Sequence, residues 1–250
     1  MQRRELLRLL TAASATGLAG CTNAGSSLPR ATGRPLVPPT PEPTPEPTPD
    51  PEPTPDPPTA ELREVIAVGR DGLGLPAPRP GGQEHAITGL AVHHTAAPTA
   101  AASKGPARFR SHTRSHRDQG WIDVAYHWGV DTGGNIYELR SENIAGDTNT
   151  AYDPAGWFLV VCEGNFEDSP PPQAMLDAVA DLCAYAAAKH GVAASTLRGH
   201  RDLAATLCPG ANLQAQLPSL ITMVEARLDA GGVTVRAIND PDRVARIEAG

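Results

Sequence analysis

Residues 157–191 read WFLVVCEGNFEDSPPPQAMLDAVADLCAYAAAKHG, and this stretch decides the fold class. Its opening WFLVVC (157–162) is an apolar run of strand length, rich in aromatic and β-branched side chains. Beyond the prolines, Met175, Val179, Leu182 and Ala186 recur at helical spacing in an Ala-rich segment, and Gly191 supplies the stop. Working outward, AITGLAV (86–92) is a second strand, and VAYHWGVD (124–131) followed by TGGNIYEL (132–139) reads as two strands joined by a Gly-Gly turn. ANLQAQLPSLITMVEARL (211–228) is a second helix with Pro218 near its first turns, and GPARFRSHTRSHRDQG (105–120) a third, more polar one. Helices interleaved with strands predict an α/β domain, a mixed central sheet flanked by helices, over residues 61–229. Residues 230–250 are expected to be a C-terminal tail, and strand order does not follow from the pattern.

The N-terminal part belongs to no core. Arg3 and Arg4 precede the apolar stretch LLRLLTAASATGLAGC (6–21), which is too short for a spanning helix and reads as an export signal. The arginine pair resembles a twin-arginine signal; an ordinary charged leader is the alternative. LAGC, Leu18 to Cys21, resembles the lipobox of bacterial lipoproteins, which implies lipidation of Cys21 and a membrane anchor at the cell envelope. Residues 22–60 hold the acidic repeat PLVPPTPEPTPEPTPDPEPTPDPP, which has no apolar face to bury. It is expected to be a semi-rigid polyproline spacer reaching on the order of 70 Å if extended. With a net charge of -7 and 20% charged residues, the chain has no basic field to attract nucleic acid.

The chemistry gathers at segment ends. AITGLAV runs into His93-His94-Thr95, and STLRG runs into GHRDLAATLCPG (199–210), which holds His200 and Cys208. A lone His or Cys is weak evidence of a site, since such residues are usually packing or surface groups. Together, two imidazoles and a thiolate with a fourth position open form the donor set of a catalytic zinc. The spacing of His200 and Cys208 matches no short zinc-finger signature.

LAVHHTA, GWIDVAYHWGVDTGGNIYE, VCEGNF and GHRDLAATLCPG occur in the order found in the type 2 N-acetylmuramoyl-L-alanine amidase and peptidoglycan recognition protein superfamily. The chain resembles that superfamily over about residues 62 to 228. The resemblance implies that His93, the first His of HHT, holds zinc with His200 and Cys208. It implies that Tyr126 is the active-site tyrosine and that Thr206 stands where members carry Lys or Thr. The implied reaction is hydrolysis of the amide between the lactyl group of N-acetylmuramic acid and the L-alanine of the stem peptide. The implied partner is peptidoglycan or its muropeptides. Some relatives bind without cutting and lack the cysteine, so the noncatalytic alternative turns on Cys208.

The neighbours have plainer readings. His94 and His127, each next to a site residue, are expected to pack on the opposite face. His112 and His116 are expected in solvent on a polar helix, with a place at the groove rim as the alternative, and Trp121 and Trp128 in packing, with sugar platforms as the alternative. Asp202 either orients a ligating imidazole or caps a turn. Two departures from the family stand out. Val161 occupies the position where related amidases carry a glutamate base, with Glu163 displaced, and Asp147 replaces a histidine. Cys162 and Cys183 either pair in an oxidising compartment or are two buried thiols.

Overall fold

The computed structural model describes residues 62–250, so the readings of the leader, Cys21 and the Pro-Thr segment lie outside the described residues. In chain order the strands are β1 (Arg63–Val68), β2 (Gly89–His94), β3 (Trp128–Val130), β4 (Ile136–Glu138), β5 (Trp157–Cys162), β6 (Arg198–Gly199) and β7 (Val233–Ile238). The helices are α1 (Gly105–Asp118), α2 (Gln173–His190), α3 (Ala211–Gln214), α4 (Leu217–Asp229) and α5 (Pro241–Ala249). The strands form one sheet in the order β6-β2-β5-β3-β4-β1-β7, parallel throughout except for the β3–β4 pair. This is the expected α/β class, with helices on both faces of a mixed sheet.

Alternation along β5 builds two cores. Phe158, Val160 and Cys162 pack with Leu90, Val92 and the apolar face of α2, while Val161 turns to the other side with Phe109 of α1, Tyr137 and Leu139. Each fully buried residue of this kind contributes about 1.5–3 kcal/mol. Cys162 and Cys183 meet within the first core as free, buried thiols, and burial pushes the Cys183 thiol up to about 12. The turn between β3 and β4 is held by Asp131, whose carboxylate accepts from Gly133 N, Asn135 N and the Tyr137 hydroxyl. Gly134 sits there at φ +79°, and a Cβ would lie 2.6 Å from the Ala174 carbonyl oxygen of α2.

The expected tail at 230–250 is instead part of the sheet and its cover. All six residues of β7 pair in parallel with β1, from Arg63↔Val233 to Val68↔Ile238, and α5 places Val244 in the core beside α1. The VTVRAI alternation was present in the sequence, but the strand's partner, β1, lies at the far end of the domain. The second predicted helix is broken into α3 and α4: Pro218 has no N–H to donate and fits only in a first turn, so α4 restarts at Leu217. No helix among the described residues is long and apolar enough to cross a membrane.

His127 is buried where β3 meets β5. Its Nδ1 accepts from Leu159 N at 2.9 Å and its Nε2 faces the Ile144 carbonyl at 3.1 Å, so the neutral ring satisfies both contacts. Burial lowers its pKa to about 4. The unfolded chain protonates this group near 6.5, so the stability it provides is complete above that pH and is lost as pH falls toward 4. The loss over this window is about 3 kcal/mol. Ring carbon shifts of His127 are expected to keep the neutral signature at pH 5.5 while the urea midpoint drops. Titration of that ring near 6.5 would show that the pocket does not exclude the charge.

Candidate functional site

Register brings the histidines together. β6 pairs with β2 as Ala91↔Arg198 and Val92↔Gly199, so the next residues, His93 and His200, emerge side by side at the carboxyl ends of parallel strands. Their ring centroids are 4.6 Å apart. Cys208 arrives on the loop after β6, and this loop is pinned at several points. Asn212 N donates to Phe166 O, and Glu167 accepts from Ala211 N and Arg201. Gly210, at φ +92°, lies so close to this partner segment that a Cβ would stand 2.2 Å from the Phe166 carbonyl carbon. Asp202 accepts from Gly199 N at 2.8 Å and from Gln214, so it caps the turn and does not orient an imidazole.

The ligand atoms of His93, His200 and Cys208 all lie within 4.8 Å of one another. Cys208 Sγ is 3.7 Å from His93 Nδ1 and accepts from the His94 backbone N–H at 3.4 Å. Both histidines are buried and Cys208 is half-buried. Burial, followed by the neighbouring His200, holds His93 well below the usual imidazole range, and burial lowers His200 as well. Both rings therefore keep lone pairs for a cation. Burial pushes the Cys208 thiol up to about 12, opposed by the His94 N–H and by Arg201; a bound cation converts such a thiol to its thiolate. Borderline N and S donors converging from three directions fit zinc better than calcium or magnesium.

The cluster lines a pocket of about 280 Å³ together with Tyr126 and Thr206, so every expected site residue among the described residues reaches one space. Tyr126 stands 5.0 Å from His93, ring to ring, and burial pushes its phenol further up, keeping the hydroxyl a donor. Thr206 Oγ1 accepts from Cys208 N at 3.2 Å, which leaves its own proton available to the pocket. Glu163 is buried and turned away, paired with His112 at 2.8 Å and Arg108 at 3.6 Å, and Val161 lies in the core. Asp147 is the one carboxylate in the pocket lining, ion-paired with the buried Arg140. Arg140 also donates to the carbonyls of Asp123, Val124 and Ala145, tying two walls of the pocket together.

Some residues were misread or missed. His112 and His116, expected in solvent, both face inward. His116 lines the pocket beside Trp121, and its Nδ1 accepts from Ala125 N at 3.1 Å, so its Nε2 carries the proton. The polar composition of α1 hid this, because only the fold shows which side of the helix meets the pocket. Trp121, expected in packing, is a pocket wall, whereas Trp128 is packing as expected, donating to Glu142. His127 packs as expected, through Leu159 N; His94 is held by Phe166 N and also lines the pocket. Thr150 and Tyr152 were missed altogether. Thr150 Oγ1 lies 2.8 Å from His200 Nε2, and the Tyr152 ring is 5.0 Å from that of His200.

A family model described as N-acetylmuramoyl-L-alanine amidase matches residues 83–211. The human N-acetylmuramoyl-L-alanine amidase is 35% identical over 127 residues, 48% of this chain, and this chain spans about a fifth (22%) of its length. Among solved structures, wild-type Drosophila PGRP-LB superposes with TM-score 0.55 at 28% identity, covering 62% of this chain and 94% of that one. Human PGRP-IBETAC, in complex with glycosamyl muramyl pentapeptide, does so with TM-score 0.55 at 26% identity, over 62% and 94%.

Proposed function

Because the chain belongs to the N-acetylmuramoyl-L-alanine amidase family, we propose that it is a zinc-dependent hydrolase of the amide joining the lactyl group of N-acetylmuramic acid to the L-alanine of the stem peptide. The observation that carries this reading is the convergence of His93, His200 and Cys208 on one side of a pocket that also holds Tyr126 and Thr206. A recognition module that only binds has no use for the thiolate.

His93, His200 and Cys208 would hold the zinc, which when bound would supply a Lewis acid for the amide carbonyl and a water nucleophile near neutral pH. The protein's own groups do the rest. Tyr126, a phenol that stays protonated, donates to the carbonyl oxygen as it gains charge, and Thr206 offers a second hydroxyl in the same pocket. The imidazole of His116, with its proton on Nε2, adds a neutral donor near Tyr126. The adjoining pocket of about 410 Å³ shares Asp147, Thr148 and Thr150 with the first, giving a muropeptide room to continue past the cluster.

The test is digestion of purified muropeptides by the full chain, with mass analysis. Release of free stem peptides, abolished by zinc chelation, is the expected result. A protein that binds muropeptides and releases none is a recognition module. The leader and LAGC further support export and tethering of the enzyme through a lipidated Cys21 at the extracytoplasmic face of a bacterial membrane. Under that reading Cys21→Ala loses both fatty-acid label and membrane association; an unchanged fractionation pattern removes the anchor.

A further inference from the structure

The two imidazoles of the cluster are held differently. His93 Nε2 is buried with no hydrogen-bond partner among the described residues, so packing fixes that ring, between Tyr126 and His200. His200 Nε2 instead meets Thr150 Oγ1 at 2.8 Å, which leaves Nδ1 as the nitrogen free to ligate. Thr150 Oγ1 in turn lies 2.8 Å from Thr148 Oγ1, and Thr148 Oγ1 accepts from Thr150 N at 3.1 Å.

Only one direction of donation suits a metal ligand. Nδ1 must be bare to bind a cation, so Nε2 carries the proton and donates to Thr150 Oγ1. The Thr150 hydroxyl then donates its hydrogen bond to Thr148 Oγ1. From His200 to Thr148 Oγ1 each donated proton then has an acceptor, and the side chain of Thr150 is kept in place from the far side by its own backbone turn. The Tyr152 ring lies against His200, so the segment 148–152 both orients and covers this ligand.

We propose that Thr150 is a positioning residue for the metal centre: its hydroxyl selects the His200 tautomer with the proton on Nε2 and directs Nδ1 toward His93 and Cys208. The inference rests on the zinc reading above, which sets the direction of donation along this chain; the tautomer itself can be read in the protein without the metal. Loss of a hydrogen-bond partner behind a ligating histidine commonly weakens metal binding 10- to 100-fold.

The experiment compares the full chain with Thr150→Val, which keeps the β-branched shape and removes the hydroxyl, and Thr150→Ser, which keeps the hydroxyl. Zinc affinity is measured by chelator competition, and the His200 tautomer by nitrogen-15 shifts in the zinc-free protein. Thr150→Val is expected to bind zinc roughly 10- to 100-fold more weakly and to show both His200 tautomers. Thr150→Ser is expected to stay close to wild type in both. Wild-type affinity together with a single Nε2–H tautomer in Thr150→Val overturns the proposal, as does a Thr150→Ser variant as impaired as Thr150→Val. If the wild type takes up no zinc, the metal reading fails; the tautomer measurement then decides the role of Thr150 alone.

Discussion

Cys208→Ala is expected to lose both zinc and amide cleavage while keeping its affinity for muropeptides. The sulfur is the only anionic donor of the cluster, and two neutral imidazoles form a poor site without it. Cleavage is expected to fall below detection. Binding draws on pocket walls away from the sulfur, on Trp121, His116 and the 147–150 segment, and these do not depend on the thiol. The backbone at 208 is also held independently, by Gly210 against Phe166 and by Glu167 on Ala211, so alanine is expected to leave the loop in place. Zinc content, stem-peptide release and fragment affinity on the same preparations check all three claims. A variant that still cleaves at the wild-type rate removes Cys208 from the reaction.

Tyr126→Phe is expected to lower kcat roughly a hundred- to a thousandfold, because one oxyanion donor is worth about 2.7–4 kcal/mol of barrier. Phenylalanine preserves the ring that packs against His93 and His116, so zinc content and thermal midpoint should remain those of the wild type. The KM is expected to change little, since the hydroxyl acts on charge that develops in the transition state. Near-normal turnover with full zinc would make Tyr126 a packing residue. In that case Thr206 and His116 are the next donors in the pocket to test against the carbonyl oxygen.

The sequence by itself determined the local elements and named the candidate site residues. WFLVVC and the helix beginning at Gln173 were legible because their periods differ and each is bounded by its own stop signals. His93, His200, Cys208, Tyr126 and Thr206 were legible because they sit in ordered motifs. Tertiary structure decided what those motifs meet. The β2–β6 register alone puts His93 beside His200, and pairing between the two ends of the domain alone turns residues 233–238 into an edge strand. It also turned His116 from an expected solvent residue into a pocket wall, committed Glu163 to His112, and set Thr150 behind His200. The physical reason is the range of the interactions. Periodicity, caps and turns act over a few residues and leave their pattern in the chain, whereas a hydrogen bond across fifty residues, such as Thr150 to His200, exists only once the sheet has brought its two ends together.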